Sequence, residues 1–93
     1  AVRDAPPMKA WVKNAAEVQG VIDGLGGKEN ILSVDNCFTR LRVNIKDPAK
    51  LDEAAINKLP NSGIVKKGTD IQIVYGLQVA DIKRAVEAQL ENQ

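Results

Sequence analysis

Residues 31–45, ILSVDNCFTRLRVNI, give the clearest indication of the fold class. Two sets of side chains alternate in the second half of this stretch: Thr39, Leu41, Val43 and Ile45 form one set, and Phe38, Arg40, Arg42 and Asn44 form the other. A period of two is typical of a strand that buries one face. The apolar run over 31–37 that precedes it ends in Asp35-Asn36-Cys37, which favours a hairpin with its turn at or near these three residues.

The remaining periodic segments predict three helices and a second pair of strands. In chain order they are a helix over 11–25, a helix over 48–59, strands over 63–68 and 71–76, and a helix over 79–90. Gly26-Gly27 is a stop signal for the first helix, and Asp47-Pro48 is a start signal for the second. The order α-β-β-α-β-β-α predicts an α+β two-layer sandwich, in which a four-stranded antiparallel sheet carries three helices on one face.

The second helix is predicted as one continuous segment that starts at Pro48. Its apolar stripe consists of Leu51, Ala54, Ala55 and Leu59. The last helix has a clearer stripe, made of Val79, Ile82, Val86 and Leu90. Both stripes are expected to cover the apolar face of the sheet.

Length and composition exclude several classes of function. The chain has 93 residues, enough for one compact domain and too few for two. A net charge of +1 argues against a general nucleic-acid binder. With no His and only one Cys, the chain has neither a Ser-His nor a Cys-His catalytic pair, and most zinc sites are excluded. Residues 1–10 contain Pro6-Pro7 and no apolar period, so we expect a linker or arm there and the domain over 11–93.

The residues best suited to chemistry lie around the single thiol. Cys37 precedes Arg40 and Arg42, which the alternation places together on the outward face of the strand. Guanidinium groups near a thiol stabilise the reactive thiolate and suit a phosphoryl group. Turn amides at residues 36–40 would add backbone donors for an anion. The alternative from the residues alone is a buried structural cysteine beside a solvated strand face.

DNCFTRLRV, together with the later GIVKKG and IQIVYG, resembles the enzyme IIB domain of the glucose class of the bacterial phosphoenolpyruvate-dependent sugar phosphotransferase system. The signature Cys-x-Thr-Arg-Leu-Arg is intact from Cys37 to Arg42, and the resemblance covers about residues 12–91. It implies that Cys37 accepts a phosphoryl group from a phosphohistidine on a IIA protein or domain. The group would then pass to a sugar held in the membrane IIC domain.

The resemblance also implies roles for the neighbours of Cys37. Arg40 and Arg42 would be catalytic residues that steady the phosphoryl charge, especially during transfer to the sugar. Thr39 would bind the phosphate through its amide or hydroxyl, and Gln72 on a neighbouring strand would contact the site. Asn36 and Phe38, assigned with them to phosphate binding, stand where many members carry other residues. Phe38 would either form an apolar docking rim for IIA or shield the turn.

No metal or organic cofactor is implied for the transfer. The expected location is the cytoplasmic face of the bacterial inner membrane, as a domain of a membrane-bound permease. Two other functions stay open at this point. One is a regulatory or anion-binding and protein-binding module on the same fold, with Arg40 and Arg42 as its docking cations. The other is an RNA-binding domain, which the three aromatic residues and near-zero net charge disfavour.

Overall fold

The computed structural model describes residues 15–92. Its helices and strands are α1 (Ala15–Gly24), β1 (Ile31–Asn36), β2 (Arg40–Ile45), α2 (Glu53–Ile56), β3 (Ile64–Lys67), β4 (Asp70–Val74) and α3 (Val79–Glu91). Short 3-10 turns at Lys28–Asn30 and Pro48–Lys50 precede β1 and α2. The predicted order α-β-β-α-β-β-α is confirmed. The predicted arm over 1–10 and the predicted start of the first helix at residue 11 lie outside the described residues.

The four strands form one antiparallel sheet in the order β1-β2-β4-β3, so β2 and β4 occupy the centre. Arg42 of β2 lies between Asp35 of β1 and Gln72 of β4. The register of β1 shifts between Ile31 and Ser33, where Leu32 forms a β-bulge. The two hairpins meet through β2 and β4, which pair with each other at the centre of the sheet.

One face of the sheet is buried and the other is open, as the alternation predicts. Along β2, Leu41, Val43 and Ile45 are fully buried, whereas Arg40 and Arg42 are exposed. The buried face of the sheet also includes Ile71 and Ile73 of β4. The helices and the segments next to them cover this face with Val18, Val21, Ile22, Leu25, Ile56, Leu59, Val79, Ile82 and Val86. All three helices contribute to this single core, which confirms the two-layer sandwich.

Two glycines end α1. Gly26 has φ 103°, and the amides of Gly26 and Gly27 donate to the carbonyls of Asp23 and Ile22 at 3.0 and 2.9 Å. This is a Schellman motif, which needs a residue in the left-handed region at its first glycine. The predicted stop signal at Gly26-Gly27 is therefore confirmed.

The predicted second helix is wrong in its extent. Asp47 does cap a helical turn, because its side chain accepts from the amide of Ala49, but that turn is a 3-10 segment that ends at Lys50. A separate helix, α2, starts only at Glu53, and Asp52 caps it. The break has a packing reason: the amide of Asp52 donates to the carbonyl of Gly24 at 2.6 Å, which ties the chain to the end of α1.

The predicted apolar stripe of that helix changes accordingly. Leu59 is buried as expected, but Ala54 is exposed. Ile56, which the stripe omitted, is fully buried instead. A helix of only four residues presents one buried position per turn, and in α2 that position is Ile56.

The strand predicted from Phe38 begins two residues later, at Arg40. Cys37, Phe38 and Thr39 form the connection between β1 and β2. The amide of Cys37 donates to the carbonyl of Arg40 at 3.0 Å, which closes the hairpin. The expected turn at or near residues 35–37 thus lies at 37–39, so Phe38 occupies the tip rather than the strand.

Candidate functional site

Cys37 stands exposed at the first position of the β1–β2 turn. The far side of this turn is anchored, because the carbonyl of Thr39 accepts from the amides of both Tyr75 and Gly76 at 2.9 Å. Tyr75 and Gly76 belong to the connection between β4 and α3. The thiol is therefore exposed to solvent on a turn that the connection between β4 and α3 holds in place.

Backbone amides lower the pKa of the Cys37 thiol below its ordinary value. The largest contribution is a hydrogen bond from the amide of Thr39, followed by one from the amide of Arg40. Partial desolvation opposes them, and the positive charges of Arg40 and Arg42 lower the pKa further. Converging amides of this kind form an anion-binding nest, so the turn favours the thiolate.

Arg40 is held on the open face of the sheet by a chain of three side chains. Its Nη1 donates to Oε1 of Gln72 at 2.9 Å. The Nε2 of Gln72 donates in turn to Oδ2 of Asp70 at 3.3 Å. The structure therefore brings Gln72 together with Arg40, and a role of Gln72 in phosphate binding stays a prediction. Asp70 was not identified from the sequence, although its spacing of two residues from Gln72 places both on one face of β4.

Arg42 lies on the same face as Arg40, two residues further along β2. Its register neighbours are Asp35 and Gln72. Its side chain is exposed, and its charge lowers the pKa of Cys37. Arg40 and Arg42 thus form a pair of cations on the open face of the sheet, beside the turn that carries the thiol.

Asn36 uses its polar groups within the turn. Its backbone amide donates to Oδ1 of Asp35 at 2.8 Å, and its side-chain Nδ2 donates to the carbonyl of Cys37 at 3.0 Å. These bonds fix the path of the chain into Cys37. In this arrangement Asn36 braces the turn, while hydrogen bonding by the amides of Thr39 and Arg40 lowers the pKa of the thiol.

Two large apolar side chains, one in the turn and one in the neighbouring connection, are exposed to solvent. Phe38, at the tip, is 90% exposed, and Leu77, in the connection between β4 and α3, is 85% exposed. Their backbones are joined, because Gly76 beside Leu77 donates to Thr39 beside Phe38. We call Phe38 and Leu77 the tip surface. Leu77 was not predicted, since a single Leu after a strand carries no sequence signal of its own.

Over residues 15–92, no three His, Cys, Asp or Glu side chains are grouped so that they could hold a metal ion. Within the same range, no helix is both long enough and apolar enough to cross a membrane.

Comparison with known proteins decides the family. The family model for "phosphotransferase system, EIIB" matches residues 19–52, which include Cys37. An N-acetylglucosamine-specific EIIB component of Streptomyces coelicolor is 40% identical over 73 residues, which are 78% of this chain and 95% of that protein. The chain belongs to the EIIB family of the sugar phosphotransferase system.

Two further comparisons agree with this assignment. An alpha-glucoside-specific EIICB component of Leptotrichia buccalis is 43% identical over 72 residues, which are 76% of this chain and 14% of that protein. The crystal structure of one domain of the PTS system IIabc component from Clostridium difficile is 28% identical, with a TM-score of 0.58 over 86% of this chain and 85% of that one. As an EIIB domain, the chain has a phosphocarrier role in a sugar phosphotransferase system, and its class of activity is phosphotransferase.

Proposed function

We propose that Cys37 is the residue that carries the phosphoryl group. In this proposal the thiolate takes the group from a phosphohistidine on a IIA protein or domain. It then passes the group to a sugar held by a membrane IIC domain. The observation that carries the proposal is the exposed thiol, whose pKa is lowered by the amides of Thr39 and Arg40 and by the charges of two arginines.

The first transfer is a displacement at phosphorus. The Cys37 thiolate attacks, so that an S–P bond forms while the N–P bond of the phosphohistidine breaks. The electron pair of the N–P bond returns to the imidazole of the IIA partner, which takes up one proton and ends neutral. Because this chain has no His, the imidazole must come from the partner. A thiolate needs no further deprotonation before it attacks.

The second transfer reverses the role of the sulfur. A sugar hydroxyl oxygen attacks the phosphorus, an O–P bond forms and the S–P bond breaks. Cys37 leaves as the thiolate, and the hydroxyl proton goes to a base outside this chain. A sulfur whose thiolate is stabilised by the turn is a better leaving group than an ordinary thiol, so the same amides that favour the first step also favour the second.

The neighbours of Cys37 are proposed to hold the phosphoryl oxygens. Arg40 and Arg42 supply planar guanidinium groups, which suit phosphoryl oxygens better than a point charge does. Thr39 and Phe38 supply backbone N–H donors for the phosphoryl oxygens. Asn36 keeps the turn that carries these donors in place. Gln72 holds one nitrogen of Arg40 at 2.9 Å, which leaves the other guanidinium N–H groups available for the phosphate.

The tip surface is proposed as part of the docking surface for IIA. A partner that brings a phosphohistidine to Cys37 must cover the side chains next to it. Phe38 and Leu77 are both almost fully exposed and lie on either side of the same hydrogen-bonded junction. Docking would remove their apolar surface from water, which favours association. The proposed setting is a domain over 11–93 with a linker over 1–10, attached to a membrane permease at the cytoplasmic face.

The intact mass of the chain tests the proposal. The chain is incubated with phosphoenolpyruvate, enzyme I, the histidine phosphocarrier and a IIA of the glucose class. We expect a gain of one phosphate, which is absent in Cys37→Ser. The same substitution should leave the circular dichroism spectrum unchanged, because the side chain of Cys37 is exposed.

The control is a second EIIB domain that accepts phosphate under the same conditions. If that domain is labelled and this chain is not, with any of several IIA proteins, Cys37 is not a phosphocarrier. The chain would then be a regulatory or anion-binding module on the same fold. Equal labelling of Cys37→Ser would instead place the phosphate on another residue.

A further inference from the structure

We propose that Asp70 is a positioning residue of the site: its carboxylate fixes the orientation of the Gln72 amide, and Gln72 in turn holds the Arg40 guanidinium. The inference rests on the proposed function of Cys37. It adds a residue that is two hydrogen bonds away from the guanidinium, in a strand other than the one that carries the arginines.

The sheet places the three side chains on one face. Asp70 is the first residue of β4, and Gln72 follows it two positions later. Gln72 lies opposite Arg42 in the register, one diagonal step from Arg40. Asp70 and Gln72 are half-buried, whereas Arg40 is exposed. The exposed guanidinium of Arg40 is thus supported by two less exposed side chains.

The chemistry of the three groups permits only one orientation of the Gln72 side-chain amide. A carboxylate only accepts hydrogen bonds, and a guanidinium only donates them. The amide of Gln72 has a donating end and an accepting end. Its Nε2 must therefore face Asp70, so its Oε1 must face Arg40, and both observed bonds have this sense. Were the amide reversed, its NH₂ would oppose the N–H groups of Arg40 and its oxygen would oppose the carboxylate.

Asp70→Asn removes this constraint with almost no change in size. An asparagine side chain both donates and accepts, so it pairs with Gln72 in either orientation. In one of the two orientations Gln72 turns its donating end towards Arg40 and loses that bond. We expect Arg40 to become more mobile in this variant, while the turn around Cys37 keeps its amide hydrogen bonds.

The direct measurement is the order of the Arg40 side chain by NMR. The steady-state heteronuclear NOE of its Nε–H group should fall in Asp70→Asn, and the two Gln72 side-chain N–H signals should shift. The rate of phosphoryl transfer to Cys37 should fall about threefold to tenfold, the size expected when one hydrogen bond of a positioning side chain is lost. The rate of Cys37 alkylation should stay within twofold of the original, because the turn amides have the largest effect on its pKa.

A double-mutant cycle tests whether Asp70 acts through Gln72. Gln72→Met keeps the approximate length of the side chain and removes both of its polar ends. In that background Asp70→Asn should change neither the Arg40 signal nor the transfer rate. The competing explanation is a through-space effect of the Asp70 charge on the arginines or on Lys67, its register neighbour in β3. Such an effect would persist in the Gln72→Met background and would overturn the inference.

The chain contains a matched control on α1. There Nε2 of Gln19 donates to Oδ1 of Asp23 at 2.9 Å, and Oε1 of Gln19 accepts from Gln89 at 3.1 Å. Asp23→Asn therefore changes the same charge and the same kind of amide–carboxylate bond away from the site. It should leave both the Arg40 signal and the transfer rate as they are. An equal effect of the two substitutions would show that net charge, rather than position, is responsible.

Failure of this inference and failure of the proposed function give different results. If Cys37 accepts no phosphoryl group from any IIA protein, the proposed function is wrong, yet the NMR comparison still decides what Asp70 does to Arg40. If Cys37 is phosphorylated and Asp70→Asn leaves the Arg40 order and the transfer rate unchanged, the phosphocarrier role stands and the role of Asp70 is rejected.

Discussion

Truncation of Phe38 separates binding from folding at this site. The side chain is 90% exposed at the tip of the β1–β2 turn, so it has few contacts to lose within the domain. Phe38→Ala should therefore change the free energy of unfolding by less than about 0.5 kcal/mol, the usual range for an exposed position. If Phe38 belongs to the docking surface for IIA, the same change should weaken the complex.

The size of the binding effect follows from the exposed surface. Burying a previously exposed Phe side chain contributes about 2 kcal/mol to association. At about 1.4 kcal/mol for each factor of ten, its removal should raise the dissociation constant for IIA about 30-fold. Because the backbone of the turn is held by its own hydrogen bonds, the alkylation rate of Cys37 should remain unchanged.

The assay is phosphoryl transfer to Cys37 over a series of IIA concentrations. We expect a large loss of rate at low IIA and recovery at saturating IIA, since only binding is weakened. Leu32→Ala is the matched control. Leu32 is also an exposed apolar residue, at 57%, but it lies in the bulge of β1. Its truncation should leave the concentration dependence unchanged.

Two results would refute this reasoning. An unchanged dissociation constant for IIA in Phe38→Ala would remove Phe38 from the docking surface. A loss of rate that persists at saturating IIA, with a changed alkylation rate, would mean that Phe38 shapes the turn. That outcome would favour its other interpretation from the sequence, in which the ring shields the turn around the thiol.

The remaining predictions concern the thiol and the packing beneath it. Because its pKa is lowered, Cys37 should alkylate faster at pH 7 than a model thiol, and its rate should reach half-maximum at a lower pH; equal profiles before and after denaturation would contradict this. Asn30→Ala should destabilise the fold by about 3 kcal/mol in urea unfolding, since three hydrogen bonds of a buried side chain are lost at about 1 kcal/mol each. Gly24→Ala should cost about 1–3 kcal/mol, because a Cβ there would lie 2.7 Å from backbone atoms of the α2 region. Gly20→Ala, where the closest approach is 3.1 Å and helix propensity improves, should stay within about 1 kcal/mol of the original.

Local periodicity was sufficient to predict the four strands and the last helix. The alternation of buried Leu41 and Val43 with exposed Arg40 and Arg42 is a property of one strand, so no distant contact is needed to infer it. The same pattern gave the outward direction of both arginines. The helix predicted from Pro48 failed because its break depends on a long-range bond between Asp52 and the end of α1.

The support of the site could be predicted only in part. The resemblance pointed to Gln72, and the structure shows its hydrogen bond to Arg40, but its role in phosphate binding stays a prediction. The roles of Asp70 and Leu77 could be inferred only from the three-dimensional structure, because each residue's position at the site depends on contacts with another strand or turn. The strand order β1-β2-β4-β3 places β4 beside β2. Hydrophobic periodicity predicts individual strands but not the order in which they pair.

In the proposed transfer, the lowered pKa of Cys37 reduces the need for a general base in this chain. A serine nucleophile would have to lose a proton during attack, and a base would have to stand within reach of it. The turn amides lower the pKa of Cys37, so a larger fraction of the thiol has lost that proton before the partner arrives. The chain has no His that could accept a proton. Cys37 is exposed, so both the phosphoryl donor and the acceptor can approach it. It follows that the rate of transfer to Cys37 should rise with pH only up to the pKa of the thiol and then become constant, unless a group on the partner titrates.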